Sequence, residues 1–399
     1  MKVLQINSVC GYGSTGRIAT DIADMLHENG HECRIAYGRG NAPEKYKGIS
    51  YRIGSDWSTR LHGVGTRLLD SHGFFSKAAT KAFLKWMDEY DPDLIHLHNI
   101  HGYYLNVEIL FEYLKKAGKP VVWTLHDCWA ITGHCAYFSA AGCEQWKTKC
   151  KRCSQLKSYP ATVNPHNVGI NYVKKKEIFT HVPNMTLVVP SFWLASVIKD
   201  SFLQNYPVQV IYNGLDLDIF KPRTSNFRSE NNLEEKTVIL GVASVWEERK
   251  GLNDFLKLNE YLDEKFKIVL VGLNDKQIKE LPDSIIKIKR TNSPQELAEI
   301  YSSADVYVNP SVEETMGLTT AEALACGTPV IVYDKTAVPE VPDASCGIVV
   351  QCSPQNIWEA LGRINLSKES CLDRAQLFDK KSRYQEYLQV YHEKFELKQ

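Results

Sequence analysis

Two glutamates that flank a glycine are the residues of this chain whose types and spacing best suit binding of a phosphorylated ligand. Glu314 and Glu322 stand with seven residues between them in the segment 310–330 (PSVEETMGLTTAEALACGTPV). We predict that a helix starts at residues 317–319, just past the strand 306–308, where α/β sheets bind ligands. The unpaired amides of a helix start suit a diphosphate. Glu322 would accept the vicinal hydroxyls of a ribose, and Glu314 would face the group that the phosphate carries. The alternative is that both carboxylates are solvated charges that the helix dipole favours.

A glycine-rich loop near the start of the chain is a second candidate phosphate site. The sequence GYGSTG, from Gly11 to Gly16, follows a strand and opens a helix, which satisfies the dinucleotide-binding spacing of glycines. The next strand, 33–37, runs into Gly-Arg-Gly and not into the acidic residue that holds a ribose in that motif. An enzyme that uses NADP could employ Arg39 instead, so an NADP-binding oxidoreductase stays open. The other alternative is a tight turn that binds nothing.

The elements that must position these residues are strands and helices in alternation. This pattern predicts two α/β domains, each a parallel sheet covered by helices on both faces. A polar segment, 222–236, reads as the linker between them. We therefore predict an N-terminal domain at 1–218, a C-terminal domain at 219–379, and a last helix at about 380–399 that packs back on the first domain. The predicted strands are 3–9, 33–37, 94–97 and 121–125, then 238–243, 267–271, 306–308 and 330–332.

Composition excludes several classes of protein. The 47 Lys and Arg residues balance the 47 Asp and Glu residues, so net charge gives no general attraction to nucleic acid. The first residues do not resemble a secretory signal, and no apolar run approaches the ~18 residues that a membrane span needs. Eleven cysteines without such a signal favour reduced thiols and a cytoplasmic location.

The ordered motifs of the chain resemble those of the family 4 glycosyltransferases, which are retaining enzymes of the GT-B fold that use nucleotide-sugar donors. The most specific match is Glu314-x7-Glu322 with the glycine and proline that follow it. The supporting matches are Val189-Pro190-Ser191, Tyr212-Asn213-Gly214-Leu215-Asp216, Arg249-Lys250-Gly251, Val271-Gly272 and Ala304-Asp305-Val306-Tyr307-Val308. The resemblance covers nearly the whole chain and implies two Rossmann-like domains that face each other across a cleft.

The resemblance also implies roles for individual residues. Glu314 would bind the donor sugar and Glu322 the nucleotide ribose. The amides of Gly317, Leu318 and Thr319 would bind the diphosphate, together with Gly16. Lys250 would neutralise the charge that grows on the diphosphate, and His126 would contact the donor sugar. The family usually carries an arginine several residues before this lysine; because that position is vacant here, we expect Arg249 to supply the second positive charge.

The reaction implied by this resemblance is transfer of a hexose-type sugar with retained configuration, by attack on the face that the leaving diphosphate occupies. It requires no cofactor or bound metal. The expected acceptor is a saccharide or a lipid-linked saccharide in capsular, exopolysaccharide or lipopolysaccharide assembly. A catalytically silent sensor or scaffold that binds sugar nucleotides is an alternative, against which the intact Lys250, Glu314 and Glu322 argue.

A histidine-rich loop after the strand 94–97 is the candidate acceptor site. We expect His98, His101, Tyr103 and Asp127 to meet the acceptor, with the tyrosine packed on a sugar ring or lipid headgroup. Metal binding by the imidazoles is one alternative. The other is a polar strand end with no ligand.

Four cysteines are the candidate metal ligands. Cys135, Cys143, Cys150 and Cys153 have the spacing C-x7-C-x6-C-x2-C, and its last pair lets two thiolates face one ion. The pattern is compatible with a structural zinc. It is equally compatible with buried small apolar side chains in a reducing compartment.

The stretch 61–85 mixes leucines and phenylalanines with arginines and lysines. Such a stretch could rest on the cytoplasmic face of the plasma membrane as a peripheral contact, as a lipid-linked acceptor would require. The alternative is an ordinary amphipathic stretch that covers its own core.

Overall fold

The computed structural model describes residues 1–396 and divides into two compact units. The first unit contains Met1–Tyr212 and the residues from Arg383 onward, and the second contains Asn213–Ser382. The sequence placed the domain boundaries at 218 and 379. The observed boundaries differ from the predicted ones because the backbone of Leu215 pairs with the segment 378–380. Leu215 N–H donates to the Phe378 carbonyl at 2.7 Å, and Lys380 N–H donates to the Leu215 carbonyl at 2.9 Å. Both segments therefore belong to the second unit.

The first unit is a seven-stranded parallel sheet with helices between its strands. The strand order is β3-β2-β1-β4-β5-β6-β7, so the order reverses between β1 and β4. Nearly all residues of the central strands are buried, as expected of parallel strands covered on both faces. The elements are β1 Lys2–Val9, α1 Gly13–Glu28, β2 Glu32–Arg39, β3 Ser50–Arg52, α2 Asp56–Leu69, α3 Lys77–Tyr90, β4 Leu94–Leu97, α4 Val107–Ala117, β5 Val121–Thr124, α5 Val168–Phe179, β6 Met185–Val189, α6 Phe192–Lys199 and β7 Val208–Val210.

The second unit is a six-stranded parallel sheet with the order β10-β9-β8-β11-β12-β13, which reverses between β8 and β11. Four of its helices, α9, α10, α12 and α13, start at side-chain caps such as Ser293, whose hydroxyl accepts from the Glu296 amide at 3.1 Å. The elements are α7 Phe227–Glu230, β8 Thr237–Val242, α8 Leu252–Tyr261, β9 Phe266–Val271, α9 Asp275–Glu280, β10 Ile286–Ile288, α10 Pro294–Ser303, β11 Val306–Asn309, α11 Leu318–Ala325, β12 Val330–Tyr333, β13 Gly347–Val350, α12 Pro354–Leu361, α13 Lys368–Ala375 and α14 Lys380–Glu396.

The last helix, α14, begins in the second unit and continues into the first from Arg383. Its buried tyrosines join the apolar core of the first unit. The Tyr391 hydroxyl lies 2.6 Å from Nδ1 of His96, and the Tyr387 hydroxyl lies 3.1 Å from Oγ1 of Thr124. Residues 397–399 of the predicted helix lie outside the described residues. None of the helices within residues 1–396 has the length and apolar character that crossing a bilayer requires.

The polar segment 222–236 is part of the second unit, and its interpretation as a linker is wrong. Arg228 Nε donates to the Ser303 carbonyl at 2.9 Å, and its guanidinium also pairs with Asp305. Arg223 N–H donates to Ser302 Oγ at 3.1 Å. These bonds fix the segment to the end of α10. The low apolar content of the segment did not reveal them.

Candidate active site

The predicted donor residues of the second unit lie where its strand order reverses. Lys250 follows β8, and Glu314 and α11 follow β11, which is the neighbour of β8 in the sheet. Loops at such a reversal diverge to opposite faces of the sheet and leave a crevice at the carboxyl ends of the strands. The chain therefore brings these predicted residues to one edge of the second sheet.

Lys250 and Glu314 are in direct contact through Nζ and Oε1, and each side chain is 17% exposed. Two backbone features hold their loops together. The Val312 amide donates to the Arg249 carbonyl at 2.9 Å, and a Cβ on Gly251 would lie 2.6 Å from the Pro310 carbonyl oxygen. Because Gly251 also has a φ of 75°, only glycine allows this approach without strain.

The helix α11 begins beside this ion pair. Gly317 precedes it with a φ of 90°, and its first turn starts without a side-chain cap among the described residues. Side chains of β11 hold the threonines of this first turn in place. The Tyr307 hydroxyl donates to Thr319 Oγ1 at 2.8 Å, and Asn309 Nδ2 donates to Thr320 Oγ1 at 2.9 Å. The amides of Gly317, Leu318 and Thr319 thus sit on a rigid support at the positive end of the helix.

Glu322 lies one turn farther along α11 and is buried, with 7% of its surface exposed. The Tyr301 hydroxyl donates to its Oε2 at 3.0 Å. Burial, followed by the charge of Glu322, raises the pKa of Tyr301 well above its ordinary value, so the phenol remains a hydrogen-bond donor. Sequence reasoning missed Tyr301. Its place three residues before the Ala-Asp-Val-Tyr-Val motif gave no signal of this role.

Arg249 and Lys250 point to different partners. Arg249 Nε donates to Glu247 Oε2 at 2.8 Å, and its NH1 donates to the Glu313 carbonyl at 3.0 Å. The arginine therefore clamps the backbone next to Glu314, whereas the lysine contacts the Glu314 carboxylate itself. Arg249 therefore positions the loop that carries Glu314. Its second role, which is to supply positive charge to the diphosphate, stays a prediction.

The predicted glycine loop of the first unit is a tight strand-to-helix turn after β1. The Gly11 amide donates to the Gly16 carbonyl at 3.0 Å, and a Cβ on Gly11 would lie 2.5 Å from Cγ of Pro43. Gly16 is buried, and a Cβ there would lie 3.0 Å from Cγ2 of Val9. Close packing thus explains both glycines locally, and the phosphate role of Gly16 stays a prediction.

His126 belongs to a buried series of hydrogen bonds. Gln5 Nε2 donates to the Ala19 carbonyl at 2.8 Å, which leaves Oε1 to accept from His98 Nε2 at 2.9 Å. His98 Nδ1 therefore accepts from His126 Nε2 at 3.1 Å, and Nδ1 of His126 takes the acceptor role. Burial lowers the pKa of His126 to about 4, so the ring is neutral at neutral pH. Gln5 was not a predicted site residue.

The predicted acceptor residues His101 and Asp127 are in hydrogen-bond contact, with Nε2 and Oδ2 2.9 Å apart. Burial raises the pKa of Asp127, but the charge and hydrogen bond of His101 and the Trp129 amide outweigh it, and the net pKa lies below the ordinary value. The Tyr159 hydroxyl lies 3.0 Å from Nδ1 of His101, a contact that sequence reasoning missed. The half-buried Tyr103 lies with its ring edge-on to His72, at a centroid distance of 4.6 Å.

The four predicted zinc ligands lie in or against one apolar cluster of the first unit. Cys150 Sγ accepts from the Gly133 amide at 3.3 Å, and Cys153 Sγ accepts from the Gln155 amide at 3.4 Å. Across residues 1–396, no three His, Cys, Asp or Glu side chains are arranged to hold a metal ion. The zinc interpretation therefore has no geometric support in the described chain and stays a prediction, as does the alternative metal role of the histidines.

Family comparisons identify the chain. A profile for "Glycosyltransferase Family 4" matches residues 15–219, and one for "Glycosyl transferases group 1" matches residues 236–365. The protein belongs to glycosyltransferase family 4. It is a glycosyltransferase, so the predicted family is confirmed and the oxidoreductase and silent-scaffold alternatives are wrong.

Relatives of known name agree with this family. The glycosyltransferase is 24% identical to WcaC of Escherichia coli K12, a protein named for colanic acid biosynthesis, over 98% of this chain and 99% of that protein. It is 28% identical to MMP alpha-(1->4)-mannosyltransferase of Mycolicibacterium hassiacum, over 48% of this chain and 47% of that protein.

Solved structures show the fold of the family 4 enzyme. Sucrose-phosphate synthase from Thermosynechococcus elongatus superimposes with a TM-score of 0.75 at 17% identity, over 100% of both chains. Anabaena HepE in complex with UDP superimposes with a TM-score of 0.69 at 15% identity, over 98% of this chain and 100% of that one. The predicted fold class, two Rossmann-like α/β domains of the GT-B type, is confirmed.

Proposed function

We propose that this glycosyltransferase moves a hexose from a nucleoside-diphosphate sugar to a saccharide or lipid-linked saccharide, with retention of anomeric configuration. The observation that carries the proposal is the contact of Lys250 with Glu314 beside the uncapped start of α11. A lysine, a carboxylate and a row of helix amides at one sheet edge suit a ligand that carries both hydroxyls and a diphosphate.

In this proposal the nucleotide binds along α11. The diphosphate accepts hydrogen bonds from the amides of Gly317, Leu318 and Thr319, at the positive end of the helix dipole. Glu322 accepts from the ribose hydroxyls, and Tyr301 fixes its carboxylate from the buried side. Glu314 accepts from hydroxyls of the donor sugar, and the Arg249 clamp on the Glu313 carbonyl holds the loop in register.

The proposed transfer breaks the bond between the anomeric carbon and the diphosphate oxygen. The acceptor hydroxyl attacks on the same face, its oxygen forms the new glycosidic bond, and its proton passes to the departing diphosphate oxygen. The bonding electrons leave with the diphosphate, whose growing charge Lys250 and Arg249 stabilise. Atoms and electrons in this step balance without an enzymic nucleophile or a redox partner. We therefore propose that no cofactor is required.

His126 is proposed to contact the donor sugar as a neutral ring. The hydrogen bonds that run from Gln5 through His98 to His126 make Nδ1 of His126 a hydrogen-bond acceptor, which suits a sugar hydroxyl. A neutral imidazole adds no positive charge that would oppose the charge developing at the anomeric carbon. Gly16 is proposed to let the first loop approach the phosphates, and His98, His101, Tyr103 and Asp127 to line the acceptor side.

The biological setting is proposed from the relatives. WcaC is named for colanic acid biosynthesis, so we propose a role in surface polysaccharide assembly. HepE was solved with UDP and with UDP-glucose, which makes UDP-glucose the first donor to test. Eleven free cysteines are compatible with a reducing compartment, and we propose that the enzyme works in the cytoplasm.

The test is release of nucleoside diphosphate from UDP-, GDP- and ADP-sugars, with lipid extracts and oligosaccharides as acceptors. We expect turnover with one donor class and loss of turnover in Glu314→Gln. Glu280→Gln, at a mostly exposed carboxylate, is the matched control and should retain full turnover. NMR of the product's anomeric proton tests retention. Inverted configuration, or full turnover in Glu314→Gln, would refute the proposal.

A further inference from the structure

The arginine that ends β2 is a candidate phosphate contact in the sequence, and the proposed function gives it no role. Arg39 is the last residue of β2, where its backbone pairs with Val9 of β1. It therefore lies at the carboxyl edge of the first sheet, one strand away from the reversal of strand order between β1 and β4. Ligands of α/β sheets bind at this edge.

The side chain of Arg39 lies against the histidine-rich loop after β4. A Cβ on Gly102 would lie 3.6 Å from both Nε and Nη2 of Arg39. The guanidinium carbon lies 5.9 Å from the centroid of the Tyr103 ring. The Gly102 amide donates to His72 Nε2 at 3.2 Å, which fixes this loop to the segment after α2. Arg39 therefore borders the loop that carries predicted acceptor residues.

Part of the Arg39 guanidinium is buried without a partner. Its Nε is buried, and no group within residues 1–396 accepts a hydrogen bond from it. A buried donor without an acceptor destabilises the folded chain, so such donors are rare and call for an explanation. The contact with Tyr103 offsets little of this cost, because its distance is near the limit of about 6 Å for a cation–π interaction. A ligand that accepts from Nε would explain why the arginine is present.

The loops beside Arg39 supply no acidic side chain as a partner. The loops that follow β1, β2 and β4 contain no Asp or Glu. These loops are residues 10–12, 40–43 and 98–106. Asp127, the acidic member of the predicted acceptor residues, is already bonded to His101 and to the Trp129 amide. These groups therefore leave the positive charge of Arg39 available to a ligand.

A second arginine adds positive charge near the same loop. Arg67 lies close to the C-terminal end of α2 and is exposed. Burial raises the pKa of the Tyr103 hydroxyl above its ordinary value, against the opposing charges of Arg39 and Arg67. Both arginines therefore lie close enough to Tyr103 to act on it. The planar fork of a guanidinium matches two oxygens of a carboxylate or a phosphate.

We propose that Arg39 binds an anionic group of the acceptor, so that the sugar is transferred to a saccharide that carries a carboxylate or a phosphate. This inference rests on the proposed function, because it names the class of acceptor that the loop of His101 and Tyr103 would receive. Nε of Arg39 and a terminal nitrogen donate to the oxygens of that group. A neutral saccharide leaves Nε buried and unpaired, so the site selects against it.

The test is NMR of the full chain with ¹⁵N-labelled arginine side chains, in which the Nε–H signal of Arg39 is the one that Arg39→Lys removes. We expect this signal to shift with methyl β-glucuronide, with glucose 6-phosphate or with both, and not with neutral methyl β-glucoside. The carboxylate and phosphate probes show which anion fits. The signal of Arg290, an exposed arginine of the second unit, is the control and should not move.

Two results of this titration would overturn the proposal. One is an Arg39 signal that ignores both anionic probes or responds equally to the neutral glucoside. The other is an Arg39 signal that shifts with UDP alone, because the guanidinium would then serve the phosphates of the donor.

Transfer kinetics give a second readout, with acceptors isolated from lipid extracts. Arg39→Gln should raise the acceptor KM about ten- to hundredfold with little change in kcat, because a charge-assisted hydrogen bond to the bound acceptor is lost. Arg39→Lys should restore part of the affinity, and Arg290→Gln should behave as wild type. Chemical reduction of acceptor carboxylates, or enzymatic removal of phosphate, should abolish the difference between Arg39→Gln and wild type. A loss confined to kcat would contradict the inference.

Thermal unfolding distinguishes ligand binding from a structural role. Because Nε of Arg39 has no partner to lose, Arg39→Gln should unfold at the wild-type temperature or above it. A lower melting temperature in Arg39→Gln than in Arg290→Gln would show that Arg39 supports the fold, and would overturn the proposal.

Nucleotide release separates this inference from the proposed function. If the Arg39 signal responds to an anionic probe but no nucleotide sugar is turned over, the anion site stands and the proposed function fails. If a sugar is transferred to neutral and anionic saccharides alike while the Arg39 signal ignores the anionic probes, the proposed function stands and this inference fails.

Discussion

The two sheets place their candidate sites at the same topological position but build them from different chemistry. In the first unit the loops after β1 and β4 carry the glycine turn and the histidine cluster, and in the second unit the loops after β8 and β11 carry Lys250 and Glu314. All twelve histidines of the chain lie in the first unit and none lies in the second. The first site is largely buried, and its histidines His98 and His126 are neutral, whereas the second depends on a half-buried ion pair.

This difference indicates that the two sites have different roles in the proposed reaction. A site that meets a diphosphate needs fixed positive charge and helix amides, which the second unit supplies. A site that orients sugar hydroxyls needs hydrogen-bond groups that carry no net charge at neutral pH. Buried histidines of the first unit meet this requirement, since burial lowers the pKa of His98 and His126 well below the ordinary value. The following experiments separate the two sites.

The largest effect is expected from Lys250→Ala. It removes the cation that faces the proposed leaving group, so kcat should fall about 10²- to 10³-fold while the fold persists. Steady-state nucleotide release measures the effect, and Lys276→Ala, at a lysine that is 80% exposed, is the control. A loss confined to the donor KM would indicate that Lys250 serves ground-state binding alone.

A backbone change should have the next largest effect. Gly251→Ala forces the loop of Lys250 away from Pro310, because the new Cβ would lie 2.6 Å from the carbonyl oxygen. Displacement of about 1 Å should lower kcat up to about 10²-fold. Gly362→Ala is the control, since its Cβ would meet nothing closer than 3.7 Å. Unchanged kcat in a folded Gly251→Ala protein would show that the closeness of the two loops is not needed.

Tyr301→Phe tests donor binding by the second unit and should have a smaller effect than the two changes above. It deletes the hydrogen bond that fixes Glu322, and we expect donor affinity to fall about two- to tenfold with kcat nearly unchanged. Calorimetric titration with the donor measures this change. Tyr261→Phe, at a 46% exposed tyrosine, should bind as wild type does. An equal loss in both variants would argue against the proposed role of Glu322.

Mild acid should distinguish the two units by stability. The folded-state pKa values of His62 and His126 are lowered by burial to about 3 and about 4, below the unfolded value. As pH falls below about 6.5 the unfolded chain therefore binds more protons, and each such histidine can lower the free energy of unfolding by up to about 2 kcal/mol at pH 5. Hydrogen exchange, corrected for its intrinsic pH dependence, should show faster opening of the first unit only. Equal loss in both units would contradict this.

The elements with strong local signals could be predicted. The central strands β1, β4, β8 and β11 are continuous apolar runs, and the starts of α1 and α11 follow the predicted glycine turns, so the places of these elements followed from the sequence. The edge strands β3, β7, β10 and β13 and the inner strand β6 were missed. The edge strands are three or four residues long and mostly half-buried, which leaves too short a pattern to recognise. The strand β6 was missed although all five of its residues are buried.

The sequence alone determined the two-unit α/β class, the family and the positions of the candidate residues at strand ends. Tertiary packing decided which of them touch, because pairs such as Lys250–Glu314, Tyr301–Glu322 and His98–His126 join residues far apart in the chain whose distances depend on how sheet and helices pack. It also decided which face of α2 meets solvent. Periodicity shows that a helix has an apolar side, but burial of His62 on the opposite side follows from the packed structure alone.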